Sequence, residues 1–230
     1  MFFTFPAWGQ KAKPKNQSWY DDKIFHFGFS LGFNVMDFNI TPNQDFLSVN
    51  NIRPEVTTLN PGINIQIVTD LRPAKHVDLR FLPGVSFGQR IINYYDLTKP
   101  VDSPDYLFGE QKLESSFLEF PLLLKFKGDR LNNIRPYVIG GFNFRYDLAG
   151  KKEYDPEKPV YIRLERPNLY YEAGAGFDFY LTYFKLSVEL KMSKGFGDIL
   201  VNESVINHEE FYNAIDRMSS QIWVLAFHFE

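Results

Sequence analysis

Residues 24–36 read IFHFGFSLGFNVM, and two kinds of residue alternate along this stretch. Every odd-numbered residue from Phe25 to Val35 is large and apolar, whereas the even-numbered residues from His26 to Asn34 are small or polar. Side chains of a β-strand point alternately to opposite faces, so the stretch predicts a strand with one apolar face and one polar face. A period of two residues excludes an amphipathic helix.

The same alternation returns seven more times along the chain. It predicts eight strands, at residues 24–36, 63–68, 77–90, 117–126, 137–146, 170–181, 184–193 and 222–229. Long connections at 37–60, 92–114, 148–168 and 195–218 alternate with short turns at 71–75, 128–133 and 182–183. If neighbouring strands pair in order, every long loop lies at one end and every short turn at the other. This is the up-and-down arrangement of outer-membrane β-barrels.

Composition limits the environments in which these strands can lie. No run approaches the roughly 20 apolar residues that a membrane helix needs, so the chain is either soluble or crosses a membrane as a closed barrel. It has no cysteine, which excludes disulfides and thiolate metal sites. The net charge of −3 gives no electrostatic reason to expect a nucleic-acid partner.

The two faces of the strands distinguish a membrane barrel from a soluble barrel or sandwich. The apolar face carries no charged residue in any of the eight strands. The other face carries six bases, five acids and seven glycines (Gly28, Gly32, Gly84, Gly88, Gly141, Gly174, Gly176). Exposed glycines weaken strands, but inside a barrel of eight strands they make room for long side chains. We therefore predict an all-β, eight-stranded antiparallel transmembrane β-barrel with a filled polar lumen and lipid around it.

The polar face supplies the candidate site. The predicted lumen network consists of His26, Asp78, Arg80, Arg90, Glu119, Lys125, Arg145, Glu172, Asp178, Lys185, Glu189, Lys191 and His228. Buried charges must pair, so a structural role explains the network; a conduit or a proton-linked switch is the functional alternative. His26 and His228 lie on the first and last strands, which become neighbours when a barrel closes. We expect these two histidines to meet across that seam.

The N-terminal residues differ from the barrel in composition. Residues 1–10, MFFTFPAWGQ, are interpreted as a remnant of a signal peptide. Residues 11–23 are polar and rich in lysine, and we predict a periplasmic spacer there. The barrel then occupies residues 24–230.

No motif for catalysis is found. An enzyme needs a nucleophile and a base close together, and no such grouping falls on the outer face. The loop aspartates do not have the spacing of a calcium loop. We therefore predict no enzymatic activity, no metal and no cofactor. Aromatic residues in the long loops, among them Phe46, Tyr106, Phe108 and Phe211, favour a protein partner.

Seven stretches of the chain resemble the PorT family, an outer-membrane component of the type IX secretion and gliding machinery of Bacteroidetes. They lie at residues 25–38, 78–90, 115–127, 134–155, 161–181, 213–217 and 227–230. The resemblance includes segments that a barrel alone does not require, such as RLERPNLYYE and NAIDR. A full signal peptide is expected in that family, and only MFFTFPAWGQ stands here.

This resemblance implies a function. It is that of a non-enzymatic outer-membrane protein needed to export cargo with the type IX signal, and to support gliding in gliding species. Its partners are membrane lipid and other type IX subunits. The long loops are expected to be extracellular, as in outer-membrane barrels in general. We interpret Asn213, Ala214, Ile215, Asp216 and Arg217 as a possible partner-contact loop. The alternative is a barrel that binds or modifies a lipid or a small ligand.

Overall fold

The computed structural model describes residues 15–149, 164–200 and 213–230. Within these ranges, the short 3-10 helices η1 (Ser18–Asp22) and η2 (Pro104–Tyr106) and the α-helix α1 (Gln44–Asn50) accompany the strands. The strands are β1 (Phe25–Pro42), β2 (Ile52–Leu59), β3 (Pro61–Ala74), β4 (Val77–Phe81), β5 (Gly84–Asp96), β6 (Leu107–Lys127), β7 (Ile134–Asp147), β8 (Pro167–Tyr180), β9 (Lys185–Gly195) and β10 (Ile215–Phe229). The predicted signal-peptide remnant at 1–10 lies outside the described residues.

The strands form one antiparallel sheet whose pairing returns to its start. β10, β9, β8, β7 and β6 follow β1 in that order, and β6 pairs with both β4 and β5. β3 then pairs with β4 and β5 on one edge and with β1 on the other. The hydrogen bonds therefore run around a ring of eight wall positions, which confirms the predicted antiparallel up-and-down architecture.

Ten strands occupy these eight positions because the predicted strand at 77–90 is interrupted and an additional strand, β2, forms in a predicted loop and precedes β3 at the same position. β2 and β3 both pair with β5 and are separated by Asn60 alone. β4 and β5 are separated by Leu82 and Pro83, and proline has no N–H to give to a sheet. Pairing still continues across this break, because the Pro83 carbonyl accepts from the Ile67 N–H at 2.9 Å and Leu82 donates to the Pro121 carbonyl.

The strands extend further toward the long loops than the alternation predicts. The segment 37–60, predicted as a loop, contains the end of β1, α1 and β2, and the segment 92–114 contains the ends of β5 and β6. In these extensions the apolar side chains, such as Phe38 and Ile92, point inward and are buried. Polar residues such as Asn39 point outward instead, so the apolar-polar alternation changes phase. Helix α1 starts at Asn43, whose side chain accepts hydrogen bonds from two backbone N–H groups of the first turn.

An apolar belt covers the outside of the barrel. Phe27 exposes 67% of its surface and Ile67 exposes 61%. Side chains of this kind recur on each wall strand around the ring: Phe25, Phe29, Leu31, Phe33, Ile63, Ile65, Phe81, Phe87, Phe120, Leu122, Leu124, Phe126, Val138, Phe142, Phe144, Leu169, Phe177, Leu190, Trp223 and Leu225. Soluble proteins do not expose contiguous apolar surface of this extent. The belt is therefore the surface that contacts lipid.

The interior is filled by side chains of two kinds. At the long-loop end the buried residues are apolar, namely Phe38, Ile52, Ile92, Tyr94, Leu164, Ile199, Ala214, Ile215 and Met218. Polar and charged groups fill the remainder. Glycine makes room for them as predicted, because a Cβ at Gly176 would lie 2.6 Å from Tyr137 Oη, and one at Gly88 would lie 2.6 Å from Met36 Sδ. Within the described ranges, no helix combines the length and apolar character required to span a bilayer.

The belt assignment predicts the effect of placing a charge on it. Phe120 lies on β6 opposite Phe144 and faces outward. Phe120→Arg should reduce assembly into the outer membrane severely, because a basic residue facing the bilayer centre costs about 2–4 kcal/mol. The amount of folded protein in isolated membranes measures this. The control is Val101→Arg, since Val101 is 74% exposed in the β5–β6 connection. Equal assembly of the two variants would contradict the lipid-facing assignment.

Candidate functional site: the buried charge network and the short-turn mouth

The polar interior contains every residue of the predicted lumen network. All thirteen predicted side chains are buried, with relative exposures from 0% to 6%. Five further charged residues on the same face join them, namely Asp70, Lys127, Arg135, Asp147 and Glu230. With these five, the six bases and five acids predicted become eight of each, so the buried charges of the network balance.

One cluster of ion pairs is centred on Arg145 of β7. Its guanidinium donates to Glu119 Oε1 at 2.7 Å and to Glu172 Oε1 at 3.0 Å. Lys191 reaches the other oxygen of Glu172 at 2.8 Å. Two bases and two acids thus neutralise one another across four neighbouring strands, β6 to β9.

A second cluster is centred on Arg80 of β4. Arg80 holds Asp70 with two hydrogen bonds, from Nε at 2.8 Å and from Nη2 at 2.7 Å. The same Nη2 lies 3.0 Å from Glu230 Oε1, and Nη1 lies 3.5 Å from Glu189 Oε2. Glu230 also accepts from Lys185 Nζ at 2.8 Å. A two-bond arginine–carboxylate pair of this kind fixes orientation as well as charge.

Two smaller pairs complete the network near the short turns. Lys125 Nζ lies 2.8 Å from Asp178 Oδ1, and Lys127 Nζ lies 2.5 Å from Asp78 Oδ1. Within the described part of the chain, Arg90 has no carboxylate partner. It donates to the hydroxyls of Ser115 and Ser220 and stacks on the Phe38 ring, 4.0 Å from its centroid.

The expected contact between His26 and His228 is wrong. The register of β1 and β10 places Ser30, not His26, opposite His228, because β10 ends one pair further along at Phe229. His26 Nε2 bonds the Tyr20 carbonyl at 2.9 Å. His228 Nε2 instead lies 3.5 Å from Glu189 Oε2.

The predicted partner-contact loop at residues 213–217 is only partly a loop. Ile215, Asp216 and Arg217 already belong to β10, and Asn213 is exposed. Ala214 and Ile215 are buried in the apolar interior, with exposures of 1% and 4%. Ile215 belongs inside because an apolar side chain at this end packs against Phe38 and its neighbours. Only Asn213, Asp216 and Arg217 are open to solvent.

The described part of the predicted spacer, residues 15–23, does not extend freely but closes the barrel mouth at the short-turn end. In η1, the buried ring of Tyr20 stacks on His26 with centroids 3.9 Å apart, and its hydroxyl donates to Glu230 Oε2 at 2.5 Å. Burial raises the pKa of the Tyr20 phenol well above its usual value. Lys185 lowers this pKa and the Glu230 carboxylate raises it, and burial decides the direction. Tyr20 is therefore a neutral donor that joins the N-terminal segment to the Arg80 cluster.

Asp21 is held at the same mouth by three arginines. Its carboxylate lies 3.0 Å from Arg135, 3.4 Å from Arg130 and 3.5 Å from Arg72. Partial burial acts to raise the pKa of Asp21, but the guanidinium groups of Arg135, Arg72 and Arg130 outweigh it and lower that pKa. The aspartate is charged and anchors η1 to the end of β3, the β6–β7 turn and the start of β7.

The period of the strands could have located the residues that sequence reasoning missed. Asp70 and Glu230 continue the inward phase of the predicted strands at 63–68 and 222–229 by one step each. Lys127 does the same for the strand at 117–126. Tyr20 gives no periodic signal, because it precedes the first strand.

A closed antiparallel wall, an apolar outer belt and a balanced charged interior define a small integral-membrane β-barrel. The chain matches the model of the family described as outer membrane protein beta-barrel domain over residues 8–201. The chain belongs to this family, and its belt is therefore embedded in an outer membrane.

Solved outer-membrane proteins give matches of low identity. Neisserial surface protein A is 8% identical, with a TM-score of 0.45 over 88% of this chain and 95% of that one. Ail, the attachment invasion locus protein of Yersinia pestis, is 13% identical, with a TM-score of 0.38 over 88% and 96%. The N-terminal barrel of Pseudomonas aeruginosa OprF is 11% identical, with a TM-score of 0.34 over 89% and 100%. The search of curated proteins found no match.

The geometry supports a packed interior. Among the described residues, no cluster of three histidines or carboxylates is arranged to hold a metal ion. Most of the charged groups are used in ion pairs with one another, as the structural interpretation of the network requires. Arg90 is held by serine hydroxyls and an aromatic ring instead.

Removing the Glu230 carboxylate tests this structural role. Glu230→Gln should lower the free energy of unfolding by about 3–5 kcal/mol, because Lys185 stays buried without its ion-pair partner and Arg80 loses one of its carboxylates. Urea unfolding of the refolded barrel in lipid measures the loss. Glu55→Gln, at a half-exposed pair with Arg53, is the matched control and should cost less than about 1 kcal/mol. A loss at residue 230 no larger than at residue 55 would refute the role.

Proposed function

We propose that the chain is a PorT-like, non-enzymatic component of the type IX secretion system of a Bacteroidetes outer membrane. The seven resembling stretches support this proposal, since they continue through connecting segments as well as strands. In gliding species the same component would support gliding. The protein acts through contacts with other subunits, either in assembling the machinery or during export.

The observation that carries the proposal is the filled lumen. Ion pairs centred on Arg80 and Arg145 occupy the barrel interior, and the apolar cluster around Phe38 fills its long-loop end. A barrel of eight strands has room for its own side chains and little else. A diffusion channel is therefore disfavoured, and the surfaces at the two ends remain as the parts through which the protein works.

The long-loop end offers side chains suited to protein contact. Val49 of α1 is 76% exposed, and Leu107 and Phe108 at the start of β6 expose 44% and 45%. Asp216 and Arg217 are exposed on the neighbouring end of β10. Outer-membrane barrels carry their longer loops outside the cell and their short turns in the periplasm. We assign the same orientation to this chain.

Deleting the gene distinguishes this proposal from its alternative. Loss of secretion of proteins that carry the type IX signal, restored by the wild-type gene, is the expected result. Immunoblots of culture medium and cell fractions measure it. Normal secretion accompanied by altered lipid A would overturn the proposal and favour a lipid-modifying or ligand-binding barrel.

A double substitution tests the exposed part of residues 213–217. Asp216→Ser with Arg217→Ser should reduce cargo secretion at least several-fold while the barrel still folds, because neither side chain is buried. The control replaces Arg53 and Glu55 by serine, which removes an exposed acid and base from β2 at the same end. Secretion by the Asp216/Arg217 variant equal to that of the control would contradict a contact role for this site.

A further inference from the structure

The N-terminal segment crosses the mouth of the barrel from one wall to the opposite wall. Its start is bound by the turns beside β7 and β8, since Asn16 Nδ2 donates to the Tyr180 carbonyl at 3.0 Å and the Asn16 N–H to Asn133 Oδ1 at 2.9 Å. Its end enters β1. In the ring of eight wall positions, β1 and β7 are four places apart and face each other. The segment therefore divides the mouth and leaves a cleft on the side of β3, β4 and β6.

This cleft is positively charged and open to solvent. It has a volume of about 560 Å³, the size of a binding site for a small ligand or a few side chains. Six bases and three acids line it, namely Lys15, Lys23, Arg72, Lys75, Arg130, Arg135, Asp21, Asp22 and Asp129. The described lining thus has three more positive than negative groups.

The arginines of the cleft are already arranged around a carboxylate. Asp21 contacts Arg72, Arg130 and Arg135, so one negative charge meets three guanidinium groups. Arg135 is buried, and its Nε has no hydrogen-bond partner in the described part of the chain. The cleft therefore recognises carboxylate chemistry and retains charge and a donor for a second acid.

The position of the cleft decides between lipid and water-borne ligands. Lipid headgroups surround the outside of the wall, whereas the cleft opens at the mouth within the ring, on the side of the short turns. We propose that the cleft binds an acidic segment of a periplasmic polypeptide, whose carboxylates contact Arg72, Arg130 and Arg135 beside Asp21 or in its place. This inference rests on the proposed function, in which the protein acts through protein contacts.

Binding of an acidic peptide to the purified full chain in neutral lipid nanodiscs tests the inference. The probe is a fluorescent peptide rich in Asp, compared with the same peptide carrying Asn at each Asp, and anisotropy measures affinity. The Asp-rich peptide should bind, and the Asn peptide should not. Arg135→Gln should weaken binding about tenfold, as expected for loss of one partly buried charge contact. Lys75→Gln, an exposed lining residue, should weaken it about threefold through long-range attraction.

Asp21→Asn should change peptide affinity in the opposite direction from Arg135→Gln. If Asp21 competes for the arginines, its neutralisation should raise the affinity for the Asp-rich peptide about fivefold or more. A purely structural role for Asp21 would leave affinity unchanged or reduce it, and either result overturns the inference. Arg53→Gln at the long-loop end removes one positive charge far from the cleft and should not alter binding.

Two further measurements show whether the cleft inference or the proposed secretion role has failed. Binding of inorganic phosphate or of vesicles containing an anionic phospholipid, without binding of the Asp-rich peptide, would replace the peptide by a phosphate ligand and overturn the inference. If the deletion stops cargo secretion but the cleft variants bind the peptide like wild type, only the cleft inference fails. If peptide affinity follows the predicted signs while the deletion secretes normally, the secretion role fails and the cleft remains.

Discussion

The rest of the structure depends on one constraint: charges enclosed by eight strands must be neutralised by other side chains of the same interior. An isolated charge there loses its hydration and has no bulk water to replace it. Arg80 illustrates the solution, because Asp70 gives it two hydrogen bonds and Glu230 and Glu189 lie on its other side. This constraint explains why bases, acids and glycines share one face of the strands and why the other face carries no charge.

The N-terminal segment is part of this neutralisation. Glu230 follows β10, and its carboxylate joins Lys185, Arg80 and the Tyr20 hydroxyl. Tyr20 covers this cluster on the side of the mouth, where water would otherwise weaken the ion pairs by screening. Asp21, one residue further, is held by arginines of β3, the β6–β7 turn and β7. The segment thus covers the interior with the Tyr20 ring and is held in place by the Asp21 carboxylate.

Sequence periodicity is sufficient to predict the strands of the barrel wall but not the structure at their ends. Alternation located the strand cores and the inward phase of all thirteen network residues, because the lipid boundary forces one face to be apolar. It missed the outer parts of β1, β5 and β6, where the inward side chains become apolar, as at Phe38, Ile92 and Leu113, and the alternation changes phase. It also missed the register of β1 against β10, so that His26 was matched to the wrong residue. Tyr20 depends on tertiary packing alone, which periodicity does not encode.

The two ends of the barrel are stabilised by different forces, and this difference bears on function. At the long-loop end, Leu164, Ile199 and Ala214 pack into the apolar cluster with Phe38. That packing holds the ends of the long loops against the wall and is insensitive to salt. At the short-turn end, the arginines are paired with Asp21, whose carboxylate is only partly buried. Such contacts weaken with ionic strength and exchange with other acids, so the short-turn end is the part of the molecule best suited to reversible binding.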